Sequence, residues 1–263
     1  MTYICNIFTK ILLITVALLA LLCEVSFAAQ IKNLTVLAEP NMVSALTKIA
    51  RIYSQKNGVI VSISFAASDN LINDIDAGEP SDVFISAHQD WIANLKQKGL
   101  IDIYNISHVA SDELVLVTSQ DNLSVPNYLL EKRPELDEAL QVLDHSHSIL
   151  IIDNEGSSLG QYSDGIMNAL QLHEIKLFKR LGEDKSSLMT LINNNIDSYA
   201  ILLASQVSGR KEFKILSRKK HQNIFYQALV IAGDNMESAR EFLKFLKSSQ
   251  AKAIFRESGF VVE

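Results

Sequence analysis

The chain has 263 residues, is 48% hydrophobic and 21% charged, and carries a formal net charge of −6. Its apolar content excludes a disordered chain, and its length excludes a mini-protein that needs covalent staples. With 10 Gly and 4 Pro it is not collagen-like, and an acidic chain without a basic run is a poor match for nucleic acid.

Residues 1–28 read as a secretory signal peptide. Lys10 supplies the positive start, Ile11 to Leu22 is an uncharged apolar run too short to span a bilayer, and Ser26-Phe27-Ala28 offers small residues for cleavage after Ala28. An uncleaved anchor and a lipid-modified Cys23 are the alternatives. Both cysteines, Cys5 and Cys23, lie in this segment. A mature chain would therefore be stable through its core alone, as suits a bacterial periplasm.

From there strands and helices alternate. Leu34–Leu37 reads as a buried strand. Pro40 suits a first helical turn, followed by Met42, Leu46, Ile49 and Ile52 at helical spacing and a stop at Gly58. Val59–Phe65 is a second strand. Ser68-Asp69-Asn70 looks like a helix N-cap before Leu71, Ile72 and Ile75, with Gly78 as the stop. Asp82–Ser86 is a third strand, and Trp91, Ile92 and Leu95 mark a helix ending at Gly99. Glu113–Ser119 is a further strand, followed by a polar stretch from Gln120 to Asn127. A second series starts with a strand at Ser148–Asp153 and a helix at Gly160–Leu172. A helix at Ser186–Asn193 and a strand at Tyr199–Ala204 come next. Phe225–Ala232 is a strand and Met236–Ser248 an amphipathic helix.

This order predicts an α/β fold with two lobes, each a mostly parallel sheet flanked by helices. The first lobe spans 29–115 and is completed by about 230–263; the second spans 116–229. The chain is expected to cross between them near 116–125 and again near 220–232.

No GxSxG elbow, HExxH pair or phosphate-binding loop is present. Asp144-His145-Ser146-His147 offers two imidazoles, which as a metal pair would need one strand face; a solvated loop is the simpler reading. Ser157-Ser158-Leu159-Gly160 leads into a helix and reads most simply as an N-cap. Four loop-to-helix junctions remain: 38–41, 66–68, 156–160 and 185–188. Ligands of parallel sheets bind beyond the carboxyl ends of strands, where helix N-termini present free N–H groups and partial positive charge. Converging junctions would suit an anion.

Ala77-Gly-Glu-Pro-Ser-Asp-Val-Phe-Ile-Ser-Ala87 with Trp91 closely resembles the periplasmic molybdate-binding proteins of ABC importers. So do Ser64–Ser68 upstream and Ala253-Ile254-Phe255 with Gly259-Phe260 in the tail. The resemblance is strongest in the first part of the mature chain and at its end, and weaker over 120–225. It implies the type II periplasmic binding protein fold, in which two lobes close on a small solute. It also implies a monomer that is not an enzyme, with no cofactor and no directly ligating metal side chains. Molybdate or tungstate would be the ligand, held by hydroxyls and backbone N–H groups, and the permease and ATPase subunits of an importer the partners.

Carried onto this sequence, the resemblance assigns ligand binding to Asn41, Ser68, Leu159 and Lys185. Asn41 stands where the family has serine, Leu159 and Lys185 fall at main-chain positions, and Leu203 replaces a ligand tyrosine. Tyr162 and Tyr199 are nearby in sequence as possible substitutes. Each lost bond to a charged ligand costs about 1.5–3 kcal/mol, or roughly one to two decades of affinity. Pro40 has no N–H to give, and Glu39 sets a carboxylate beside an anion site, which is unfavourable unless it points away or is paired. The alternatives are the same fold holding another anion, or a solute with a cationic group that Glu39 engages. A metal-binding or enzymatic protein using His145 and His147, or a receptor without a small ligand, is more distant.

Overall fold

In the computed structural model, residues 32–146, 148–172, 175–179, 188–195, 197–219 and 224–262 are described. The signal segment, His147 and Lys185 lie outside them. No helix among the described residues is long and apolar enough to cross a membrane.

Strand β1 (Lys32–Ala38) leads through a 3-10 turn (Pro40–Met42) into α1 (Val43–Asn57), which ends where Gly58 turns left-handed at φ 66°. β2 (Val59–Phe65), α2 (Ser68–Asp76), β3 (Val83–Ser86) and α3 (Gln89–Gln97) continue the alternation. A long β4 (Ile101–Asp112) follows, and after Glu113 the chain enters β5 (Leu114–Ser119). Then come α4 (Asn127–Lys132), α5 (Leu136–His145), β6 (Ile149–Ile152), α6 (Ser158–Leu170) and β7 (Lys176–Lys179). They are followed by α7 (Leu188–Asn194), β8 (Ser198–Leu203), α8 (Ala204–Val207) and β9 (Phe213–Arg218). β10 (Ile224–Ile231), α9 (Met236–Leu246) and α10 (Ser249–Glu257) close the chain.

The strands form two five-stranded sheets, β2-β1-β3-β10-β4 and β7-β6-β8-β5-β9. β1 runs parallel to β3, and β6 runs parallel to both β7 and β8. β10 is antiparallel to β3 and β4, and β5 is antiparallel to β8 and β9. Each sheet is thus mixed, because the strand that brings the chain into it from the other sheet runs against its neighbours. The chain enters the second sheet straight after Asp112, earlier than the polar stretch suggested, and returns between Arg218 and Ile224.

Alternation along the strands gives the first sheet two buried faces. Val36, Val83, Ile85 and Ala228 face one way, onto the core that holds Leu46 and Ile49 of α1 and Phe242 of α9. Leu37, Phe84 and Leu229 face the other way, onto Leu71, Ile72, Ile92 and Leu95 of α2 and α3. In α9 the spacing of Ala239, Phe242, Leu243 and Leu246 makes one apolar stripe, and Phe242 meets Tyr53 edge-on at 5.0 Å. The packing that fixes α2, β1 and β3 also fixes the ends of those elements, where the polar groups of the next subsection sit.

Elements that the sequence did not foreshadow are β4, α4, α5, β7, α8, β9 and α10. Asp144 and His145 close α5 rather than lying on a strand, and Asp144 accepts from the Ile175 amide at 2.7 Å. No cluster of three or more His, Cys, Asp or Glu suited to a metal occurs among the described residues.

Candidate functional site

Four strand ends deliver polar groups to one point. Glu39 follows β1 directly, held in extended backbone (φ −72°, ψ 149°) before the turn that Pro40 opens. Ser68 is the first residue of α2 after β2. Ser86 ends β3, with Ala87 next. Ser158 is the first residue of α6 after β6.

A single carboxylate oxygen, Oε1 of Glu39, accepts from all of them. The donors are the hydroxyls of Ser68 at 3.0 Å, Ser86 at 2.6 Å and Ser158 at 2.5 Å, and the Ala87 amide at 3.0 Å. Ser68, Ser86, Ala87 and Ser158 are fully buried and Glu39 is 4% exposed. Ser86 is held by the His88 amide, which donates to its Oγ at 2.9 Å. Two of the hydroxyls, those of Ser68 and Ser158, belong to the first residues of α2 and α6, so the partial positive charge of two helix N-termini lies close to this carboxylate. Among the described residues Glu39 makes no ion pair, and neutral donors alone replace water around its buried Oε1. Chemically the arrangement is an anion cradle, and the chain's own side chain fills it.

The cradle draws on both sheets, and further bonds join the two halves around it. The Asp69 amide donates to the Gly156 carbonyl at 3.2 Å, and His88 Nε2 lies 3.0 Å from the Glu155 carbonyl. Gln161 accepts from the Gln89 amide at 3.2 Å and donates to Asp90 at 2.7 Å.

Beside the cradle lies a second polar group, gathered around the buried Tyr226. Asn41 Nδ2 donates to the Tyr226 hydroxyl at 2.8 Å and to Ser205 Oγ at 3.4 Å. Burial raises the Tyr226 phenol well above its ordinary value, and the nearby charges of Glu39 and Asp112 add to the shift. Asp112 itself is pushed up to about 6, because burial outweighs the hydrogen bonds it accepts from Ser205 and Glu113. Its Oδ2 is buried without a partner. Asn41 and Ser205 also line a cavity of about 440 Å³ that includes Gln206 and Arg210.

Of the residues singled out in the sequence, Ser68 lies in the cradle. It does not cap α2, whose N-cap is Ala67; its hydroxyl is used by Glu39 instead. Asn41 is adjacent, but its amide protons go to Tyr226 and Ser205. Leu159 is buried at the second position of α6, where the helix leaves its N–H unpaired. Lys185 lies outside the described residues. Tyr162 reaches the site, donating to the Ala87 carbonyl at 3.4 Å, whereas Tyr199 points to Ser124 at 3.4 Å.

Sequence reasoning missed Ser86, Ser158 and Tyr226. Ser157 does cap α6, accepting from the Gly160 amide at 3.0 Å, so the N-cap reading was right for that residue. The signal available for Ser158 was the doubled serine, which leaves one hydroxyl over after the cap is made.

Two mixed α/β sheets, joined by two passages and carrying a cradle of neutral donors at their strand ends, have the architecture of a protein that holds a small solute between two halves. The model of the bacterial extracellular solute-binding protein family matches residues 34–261, and the chain belongs to that family. The molybdate-binding protein ModA of Haemophilus influenzae is 28% identical, over 95% of this chain and 98% of the relative. The molybdate-binding protein ModA of Escherichia coli is 26% identical, over 88% and 90%. Among solved structures, the tungstate ABC transporter from Geobacter sulfurreducens superposes with a TM-score of 0.71 at 14% identity, over 86% of this chain and 98% of that one.

Proposed function

We propose that this protein captures a small oxyanion, molybdate or tungstate, in the periplasm by closure of two lobes and hands it to the permease and ATPase subunits of an ABC importer. It would work as a non-enzymatic monomer without a cofactor, exported by its N-terminal segment. The observation that carries this reading is the cradle: three serine hydroxyls and an amide, drawn from both halves, converge on one anionic oxygen. Relatives that share most of the chain's length are named for molybdate binding, which supports the choice of anion.

Ser68 supplies a hydroxyl, and the Leu159 amide lies next to Ser158 at the same helix N-terminus. Asn41 and Lys185 complete the proposed set, Asn41 by releasing Tyr226 or Ser205. Neutral donors discriminate by size and geometry, because they surround the anion without a cation that would attract any negative solute.

Thermal unfolding with molybdate, tungstate, sulfate and phosphate tests the reading. A solute at 100 times its dissociation constant adds about 2.7 kcal/mol to folded-state stability, a shift of several degrees at this size. Molybdate or tungstate is expected to give that shift and sulfate to give less. Ser68→Ala is expected to weaken oxyanion binding roughly 10- to 100-fold. Unchanged affinity in that variant removes Ser68 from the site.

A further inference from the structure

On sequence grounds the carboxylate of Glu39 is a liability: a negative charge next to an anion site. The structure resolves the conflict in an unexpected direction. Glu39 neither points away nor meets a cation, but points inward, and its Oε1 takes up the donors that an oxyanion would need. Oε1 accepts from Ser68, Ser86 and Ala87, all carried by the first sheet and its helices, and from Ser158, which follows β6 of the second. One side-chain atom thereby bonds to both halves, as a bound solute does in a protein that closes by enclosing its ligand.

We propose that Glu39 is an internal occupant of the solute site: its carboxylate fills the cradle and ties the two halves together when no solute is bound, and an oxyanion enters by displacing it. This rests on the oxyanion reading above and deepens it by naming the residue that sets affinity and selectivity. Three features support it. Part of the cradle is held independently of Glu39, since Ser86 Oγ accepts from the His88 amide and lies 3.0 Å from the Ser68 hydroxyl, while Ser158 is placed by the first turn of α6, which Ser157 caps. Glu39 joins β1 to a turn rather than lying within a strand, and its side chain can leave without breaking a ladder bond. No described cation would be stranded by its departure.

Internal competition has a selective consequence. An anion must offer the cradle more than a carboxylate oxygen does, so small monocarboxylates gain nothing by exchange, whereas a tetrahedral dianion brings more charge and more acceptor oxygens. The competent, vacated site is only a fraction of the population, and apparent affinity is reduced by that fraction.

The test is isothermal titration of wild type, Glu39→Ala and Glu39→Gln with molybdate, tungstate and sulfate, together with X-ray scattering of each protein without solute. Glu39→Ala is expected to bind molybdate or tungstate about tenfold or more tightly than wild type, with Glu39→Gln in between. Solute-free Glu39→Ala is expected to have a larger radius of gyration, and to return to the wild-type value with saturating oxyanion. Glu39→Gln keeps the size and the acceptor oxygen of Glu39, and so reports even if the alanine variant does not fold. Equal or weaker oxyanion binding in both variants, with binding by wild type, overturns the internal-occupant role and leaves the oxyanion reading intact. Binding by the variants but not by wild type supports the role and overturns molybdate or tungstate as the natural solute. No binding by any of the three overturns both.

Discussion

Two carboxylates, Glu39 and Asp112, are buried by opposite means. Glu39 has its Oε1 saturated by four donors, while Asp112 keeps one oxygen without a partner and has its proton affinity pushed up to about 6 by burial. A raised carboxyl pKa in the fold means that the folded state holds a proton that the unfolded chain has lost. Asp112 therefore favours folding below about pH 4 and detracts from it progressively as pH rises toward 6, with the full cost above that. A rise from the ordinary aspartate range to about 6 corresponds to about 3 kcal/mol at most. Asp112→Asn keeps an acceptor for the Ser205 and Glu113 amides and removes the buried charge. It is expected to raise the unfolding midpoint at pH 7.5, with a gain that shrinks toward pH 4.5; an equal gain at both values would show that the charge is not the cause. Neither carboxylate's role was legible in the sequence. Glu39 could be seen to conflict with an anion site, but the direction of its side chain depends on hydroxyls that lie 29, 47 and 119 residues away.

At the scale of elements, local patterning was informative where one element buries one periodic stripe. The sequence marks Val59–Phe65 with the bounds that the strand has, because β-branched residues alternate between Gly58 and the next turn. The stripes of α1, α3 and α9 were equally plain. β4 escaped because Asp102, Asn105 and His108 interrupt its apolar residues, and only pairing with β10 makes it a strand. β7 and β9 are edge strands of the second sheet, with weak patterns of their own. The site loop before α6 shows how tightly such a junction is made. A Cβ on Gly160 would lie 1.5 Å from the Asn154 carbonyl oxygen. Gly160→Ala must push the 154–155 backbone aside, and Ser158 two residues earlier moves with it. The expected cost is about 1–3 kcal/mol by overpacking, read as a lower unfolding midpoint, with weaker oxyanion binding alongside. A variant of unchanged midpoint and affinity would show that the junction adapts freely.

For the whole molecule, the order of strands and helices was enough to imply two α/β sheets, and the motif at Ala77–Ala87 enough to suggest the family. The mixed character of the sheets was not visible, since strand direction in a sheet follows from the passages between halves and leaves no local mark. Those passages place the ends of β1, β2, β3 and β6 around one point, and Glu39 in the middle of it. An occupied site has a signature in time as well as in equilibrium. A solute that meets an empty cleft binds at a rate proportional to its concentration, up to the limit of diffusion. A solute that must wait for Glu39 to withdraw meets a first-order step which no excess of ligand can hasten. In stopped-flow mixing, the observed capture rate of wild type is expected to level off as molybdate rises, while that of Glu39→Ala keeps climbing. A linear dependence for both would mean that withdrawal is faster than encounter. With a plateau, uptake at high solute would be paced by one side chain leaving its own binding site.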